Sequence, residues 1–441
     1  MSRVNSKLAN GSDAIVPSSY TLSDVILIDN RGQERYITDL CAQISIKESV
    51  FATSLQAEVY ILDAANMLEK VKPVSGEVLT LIISRRLASG GSEVYNHAFR
   101  ISEINQLAKL KPGTQTYVIN CVSEHAYMSQ IKTVSKPFND VPGALIEKLC
   151  IDELIIDPKE LSINTETKQT IKGVYPRRRP LFLINWLTRR SYDNGSPFFF
   201  YETLGDGIHF NSYENMINKQ HHKEYIHTPS TSSTPGAEEY FKGLSNKILK
   251  LSTDFNLSKY HDIAAGAYSS TLHTLDIAQK KYKKSTYSYG KDLKLNKSGL
   301  LAKDAGNKES GLMFNDRVVE DHSESTNFYV SLNTSAAGGG SNYHAPSDSD
   351  ILSANAYVEN MNGTVLTINI YGDFNLSVGM TITCNIMKSV QDGNDKPGKD
   401  VYLSGKYLVT TIHHKFGDEY IMQVTCQKDS YIESLYNLGD L

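Results

Sequence analysis

The side chains of this chain that could do chemistry are few and scattered. His221-His222 and His413-His414 supply imidazoles, the usual general bases and metal ligands near neutral pH. Neighbours on a strand point to opposite faces, so neither pair can hold one ion between its two rings. The second pair follows an alternating strand and reads as structural or surface. Arg177-Arg178-Arg179 and Arg189-Arg190 form the densest positive patch. They read as solvated arginines at the two ends of a helix, with an inter-subunit or phosphate contact as the sharper alternative. Asp206, between Gly205 and Gly207, is a turn former. Glu202 and Glu214 flank an aromatic hairpin, and nothing in the sequence pairs them as acid and base. The five cysteines, Cys41, Cys121, Cys150, Cys384 and Cys426, are odd in number and widely spaced without a CxxC pair. They read as buried, reduced thiols of a cytoplasmically made protein. No HExxH, GxSxG, GxGxxG or Walker-type run occurs. The expectation is therefore no enzyme, with no catalytic, cofactor-binding or metal site.

What would position any of these residues is β-structure. From 364 to 430 the chain alternates in period two: Leu366, Ile368 and Ile370 face one way, and Met380, Ile382, Cys384 and Ile386 repeat the pattern. Glycine-bearing turns at Gly372-Asp373, Gly379, Gly405 and Gly417-Asp418 punctuate an antiparallel meander. A fainter copy runs through 55–61, 75–83, 98–105 and 116–124. Laying Val78-Leu79-Thr80 on Met380-Thr381-Ile382 makes Cys121 coincide with Cys426. A true duplication would place two equivalent barrels in one subunit.

The first strands, 23–29 and 40–46, put Leu40, Ala42, Ile44 and Ile46 on one face. Residues 141–155 have helical spacing with Pro142 in the first turn. A second helix opens at Pro180, 197–204 and IHF make a hairpin, and Ser212 caps the short helix YENMI. Residues 228–236 are a low-complexity linker. Tyr240, Leu244, Ile248 and Leu251 are spaced as in a helix. Residues 290–350 are polar and poor in apolar side chains.

Composition sets the limits. A length of 441 residues suggests about three domains. A net charge of -4, from 45 basic against 49 acidic residues, gives no bulk attraction to nucleic acid or anionic membrane. No apolar run reaches the roughly 18 residues of a membrane span, so no membrane insertion is expected. The polar N-terminus lacks a secretory h-region.

The run 180–217, PLFLINWLTRRSYDNGSPFFFYETLGDGIHFNSYENMI, together with GMTITCNI, GKYLVTTIHHKF and YIMQVTCQKD, resembles the torus-forming baseplate hub protein of contractile-tailed bacteriophages of the T-even and cyanophage type. The resemblance implies a β-dominated α+β fold with two similar antiparallel tail-tube-type β-barrels plus small α+β domains. Its domains would be an N-terminal flexible arm (1–20), a first barrel (21–138) and an α+β domain (139–217). A linker, helix and the start of the second barrel (218–289) would follow, with 266–289 holding its opening strand. A polar inserted excursion (290–350) and the rest of the second barrel with the C-terminal tail (351–441) would complete the chain. It implies a structural virion protein of the tail baseplate, assembled in the host bacterial cytoplasm. A homotrimeric, pseudo-six-fold ring would join the tail tube or tube-initiator proteins to a three-fold cell-puncturing spike. Baseplate wedge proteins and the tape measure protein would be further partners, and genomic DNA would pass through unbound during ejection. Two other classes stay open: a tail-associated β-rich binding module for carbohydrate or protein, suggested by 26 tyrosines, and a wall-degrading enzyme with carboxylates paired only in space.

Overall fold

A computed structural model describes residues 18–429 except 87–90, 165–166, 168–169, 194, 220, 228–244, 256–262, 277–279, 289–312, 315, 319–321, 323–326, 333–347, 362–363, 389–398 and 401–402. Most of the flexible arm and much of the polar excursion expected from the sequence lie outside the described residues. The N-terminal third supplies strands β1 (Thr21–Ile28), β2 (Glu34–Tyr36), β3 (Cys41–Ser49), β4 (Gln56–Asp63), β5 (Val78–Arg86), β6 (Ser92–Lys111) and β7 (Thr114–Ser123). A smaller α+β unit follows. It holds β8 (Pro137–Asp140), β9 (Leu161–Ile163), β10 (Ile171–Val174), β11 (Tyr192–Asp193), β12 (Ser196–Thr203) and β13 (Gly207–Ser212), with helices Pro142–Lys148, Pro180–Thr188 and Tyr213–Asn218.

The remainder supplies β14 (His221–His227), β15 (Lys250–Phe255), β16 (Ser269–Asp276), β17 (Lys281–Ser288), β18 (Met313–Phe314), β19 (Arg317–Val318), β20 (Asn327–Leu332), the helix Asp348–Met361, then β21 (Thr364–Tyr371), β22 (Thr381–Ile386), β23 (Gly405–Phe416) and β24 (Tyr420–Lys428).

One 13-stranded sheet unites both ends of the chain. In its N-terminal part the spatial order is β3-β4-β7-β6-β5-β1; in its C-terminal part it is β15-β21-β24-β23-β22-β14. Ranked along the chain, the two sets of six occupy the same places. The agreement extends to register. Ile101 of β6 stands opposite Cys121, and Val409 of β23 stands opposite Cys426, and a bulge follows each. Gly76 N–H donates to Ile101 O at 2.8 Å, and Gly379 N–H to Val409 O at 2.9 Å. Inside the bulges, Ser102 Oγ donates to Asn120 O at 2.9 Å and Thr410 Oγ1 to Thr425 O at 3.2 Å. One difference stands out: β1 runs antiparallel to β5, whereas β14 runs parallel to β22.

The register corrects the sequence alignment by one residue. Leu79 faces Phe99 as Ile382 faces Tyr407, so Val78 corresponds to Thr381 and not to Met380. Thr381 and Ile382 are both buried, so alternation alone could not fix the register there. Ala42 is exposed despite its place in the apolar alternation of β3, because a bulge between Cys41 and Gln43 shifts the pleat. Leu251 lies in β15, paired with Ile368, and not on a helix: the free edge of β21 outweighs helical spacing. Within 266–289 the described strands β16 and β17 lie in a separate three-stranded sheet with β20, so they do not open the second set. Their expected place is taken by β14 and β15.

Two cores result. The large one packs the inner faces of both strand sets, with Leu366, Ile368, Ile370, Ile382 and Cys384 fully buried. The α+β unit has its own, around Leu145, Ile146, Leu183, Leu187, Phe198 and Phe210. There the helix expected over 141–155 runs as Pro142–Lys148 and then widens into a π turn over Leu149–Glu153. Ser212 caps Tyr213–Asn218 by accepting from Asn215 N–H, as its sequence predicts.

Candidate assembly site at the junction of the two strand sets

The two sets meet through strand edges. The first half of β23 pairs with β22, from Gly405 opposite Cys384 to Leu408 opposite Thr381. Its second half pairs along the same edge with β3, from Thr411 opposite Ser49 to Phe416 opposite Ile44. Ile44, Ile46 and Glu48 share one face of β3, and Ile412, His414 and Phe416 share one face of β23. A carboxylate and an imidazole thus enter the core from otherwise apolar stripes, with Glu48 and His414 each at most 1% exposed.

They satisfy one another. His414 Nε2 lies 2.7 Å from Glu48 Oε1, and His414 Nδ1 lies 2.8 Å from Tyr420 Oη. Burial pushes the Tyr420 phenol well above its ordinary pKa, with Arg85 opposing and Asp373, Glu48 and Glu93 reinforcing. The phenol therefore keeps its proton and donates to Nδ1, which assigns Nε2–H as the donor to Glu48. Glu48 Oε2 also accepts from Leu204 N–H of the β12–β13 turn at 3.4 Å.

His413, on the other face, hydrogen-bonds Ser45 across the junction and sits opposite Lys47. Burial lowers its pKa, Lys415, Lys47 and His414 lower it further, and Glu58 opposes. The unfolded chain, with histidine near 6.5, then binds this proton first as pH falls. The stabilisation is complete above about pH 6.5 and is lost as pH drops through the folded value. Asp373 acts in a lower window. Burial alone would raise its carboxyl, but the His222 hydrogen bond and the charges of His222 and Lys223 outweigh it and hold the carboxyl well below the carboxylate range. Its contribution is complete above about pH 4 and fades only below. The melting temperature should therefore fall from pH 7.5 to 5.5, and His413→Gln should fall less. Equal slopes for the two proteins in a thermal scan would refute this.

A second buried carboxylate ties the α+β unit to the first strand set. Glu202 of β12 accepts from Leu55 N–H at 2.9 Å and from the Ser123 hydroxyl, with His125 Nε2 3.8 Å away. Serine, histidine and glutamate meet here, but Ser123 donates to the carboxylate, and His125 Nε2 reaches Thr53 O at 3.1 Å. The arrangement secures a domain contact; a nucleophile would need serine on the imidazole.

The other candidates lie apart. Asp206 is exposed in the β12–β13 turn, its N–H donating to Thr203 Oγ1 at 3.1 Å. Glu214 opens the helix Tyr213–Asn218, its N–H on Ser196 Oγ. His222 turns to Asp373 at 3.1 Å, and His221 is exposed. Arg177, Arg178, Arg179, Arg189 and Arg190 are exposed about the helix Pro180–Thr188. Arg178 lies over Phe182 at 5.7 Å and Arg190 over Trp186 at 4.3 Å. All five cysteines are free thiols; burial pushes Cys41, Cys121 and Cys150 up to about 12 and raises Cys426 well above the ordinary thiol value. Sequence reasoning missed Glu48, Tyr420 and Ser123. Glu48 could have been found as a charge two residues beyond Ile46 on an apolar stripe; Ser123 leaves no such signal.

The sequence matches no protein-family model and no curated protein sequence. Solved structures are similar. The tail protein from Neisseria meningitidis MC58 aligns with a TM-score of 0.51 and 10% identity over 93% of this chain and 97% of its own. The 43 kDa tail protein of prophage MuSo2 from Shewanella oneidensis aligns with a TM-score of 0.54 and 10% identity, over 94% of this chain and 100% of its own. At such identity the likeness is one of fold. The chain thus has a β-dominated fold similar to that of these tail proteins.

Proposed function

We propose that this chain is the central hub of a contractile-tail baseplate. Three copies form a ring that offers six similar strand sets to the six-fold tail tube on one face and seats a three-fold cell-puncturing spike on the other, leaving a channel for DNA. In this reading each six-strand set closes as a tail-tube-type barrel. The observation that supports it is the repeated spatial order, β3-β4-β7-β6-β5-β1 and β15-β21-β24-β23-β22-β14, within one sheet. A chain with two equivalent places per copy reaches six places at three copies, which is what an adaptor between a six-fold and a three-fold object needs. The near-neutral charge balance suits a channel that passes DNA without holding it. Wedge, tube-initiator and tape measure proteins would meet the outer and axial surfaces, and the protein would reside in the virion tail.

Light scattering on the purified protein, followed by negative-stain imaging, tests the reading. The expected result is a mass of three chains and a three-fold ring with a central hole. A monodisperse monomer, alone and after mixing with tube and spike proteins, would overturn it.

A further inference from the structure

The β3–β23 junction is a template that the chain uses once and leaves open once. In the C-terminal set, β23 outruns β22, and its freed edge is taken by β3, the strand next to β4 in the other set. In the N-terminal set, β6 likewise outruns β5. Their pairing ends at Arg100 opposite Val78, while β6 continues beside β7 to Lys111. Among the described residues no strand pairs with β6 from Ser102 onward on the edge away from β7. The strand equivalent to β3 is β15. It pairs with β21 on one side; on its other side β14 reaches only the residues just before it, Ile226 bonding with Asn246 and Ile248, and Lys250–Phe255 has no second strand partner among the described residues. One chain therefore carries one open acceptor edge and one open donor edge, seven strand positions apart in the same sheet.

We infer that the open edge of β6 takes β15 from a second copy of this chain, repeating between chains the antiparallel junction that β23 and β3 make within one. The occupant is fixed by continuity with that junction. The edges differ from each other, so the contact is heterologous and propagates head to tail until it closes. Three-fold closure rests on the hub reading; the edge pairing does not require it.

The repeat also fixes the register. Ile46 and Thr253 hold the same place, since Ile46 faces Ala57, which faces Cys121, and Thr253 faces Leu366, which faces Cys426. Asp254 therefore corresponds to Lys47. On the acceptor, Ile101 corresponds to Val409, so Asn105 corresponds to His413. Lys47 stands opposite His413 within the chain, which sets Asp254 opposite Asn105 between chains. Val50 N–H donates to Thr410 O at 2.9 Å and the Ser49 and Thr411 hydroxyls meet at 3.0 Å. This marks Ser49/Thr411, and two residues on Lys47/His413, as pairs without mutual backbone bonds, whose side chains approach most closely. Just beyond Asn105, Gln106 has φ +55° and the ladder shifts, so the prediction is sharpest at Asn105.

The interchain copy lacks the buried lock: the places of Glu48 and His414 fall to Phe255 and Gln106. Exposed Leu107 and Leu110, 53% and 59% accessible, continue the open edge. A long open edge bearing leucines is a pairing template.

The test is the full-length chain with Asn105→Cys and Asp254→Cys together, oxidised mildly and run on a non-reducing gel, against each single variant. In a pair without mutual backbone bonds the Cβ atoms lie about 4.5–5.5 Å apart, close enough for a disulfide after slight adjustment. Four of the native thiols are buried and do not compete. The expected result is reducible species ending at three chains, in the double variant only. Linked species ending at another number support the edge pairing and sink the three-fold hub reading. A three-chain mass without linkage overturns the pairing and leaves the hub reading standing; an internally linked monomer also overturns it. Hydrogen exchange on the unsubstituted protein gives a check that does not depend on folding of the variants. Amides of Ile104, Thr253 and Phe255, which face the open edges in this register, should be at least tenfold slower in the assembled protein than in dilute monomer. Equal exchange in the two forms rules the pairing out.

Discussion

Glu48→Ala should destabilise the folded chain by about 1–3 kcal/mol for each buried donor left unpaired, His414 Nε2–H and Leu204 N–H. The loss is large because His414 and Tyr420 remain behind. His414 Nε2–H, buried without exposure, would face a methyl group where a carboxylate oxygen stood at 2.7 Å. Water cannot easily replace it, since Ile46, Ile412 and Phe416 surround the site and are buried. The damage should appear where β3 meets β23, so the two strand sets would separate before either melts. Urea titration followed by amide exchange is the measurement: 411–416 should lose protection ahead of 421–427. Glu48→Gln keeps an acceptor and should cost about 1–2 kcal/mol, the value of one hydrogen bond to a charged group. Glu48→Leu combined with His414→Phe and Tyr420→Phe should recover much of the loss, because removing the three polar side chains leaves only the Leu204 N–H without its acceptor. A Glu48→Ala protein within about 0.5 kcal/mol of the parent, as for a surface change, would mean the junction does not bury this group.

How much of this was legible without coordinates depends on which interactions are local. Alternation placed Leu366, Ile368 and Ile370 on one face, and the same rule found the repeat and matched Cys121 to Cys426. The match slipped by one residue at Val78, where consecutive buried residues hide the pleat. Ser212 was readable as a cap because its partner Asn215 is three residues away. The junction was not. Glu48 and His414 are separated by 366 residues, and nothing local to either names the other. The side-by-side placing of β3 and β23 is a property of edges, and an edge becomes visible only when the whole strand order is known. Leu251 failed for a related reason: its helical spacing is real, but the partner that decides its state, Ile368, lies far along the chain. Likewise the glycines of the 364–430 meander were readable as turns, while the reason one of them tolerates no side chain was not.

That glycine is Gly372, and Gly372→Ala should cost about 3 kcal/mol or more, at or beyond the upper end for overpacking a core. A Cβ there would lie 1.8 Å from Cδ1 and 2.1 Å from Cε1 of Tyr420, far inside contact distance. The ring cannot step aside. It stacks on Phe416 with centroids 4.3 Å apart, Phe374 closes another side at 5.2 Å, and its hydroxyl is fixed to His414 at 2.8 Å. Nor can the backbone retreat cheaply, since Gly372 N–H donates to Tyr420 O at 3.0 Å. Whatever moves, the phenol leaves Nδ1 of His414, and the substitution reaches the Glu48 network through the ring. Gly372→Ala and Glu48→Ala should therefore be less than additive by more than about 0.5 kcal/mol, the threshold for coupled sites. Gly173→Ala is the control. Its Cβ would meet Phe138 Cζ at 3.0 Å, a milder insult in the α+β unit between β8 and β10 that shares no partner with Glu48, and it should add to Glu48→Ala within about 0.5 kcal/mol. Chemical denaturation of the three single and two double variants measures both couplings. If Gly372→Ala added independently to Glu48→Ala, the Tyr420 ring would not be the link between the turn and the junction.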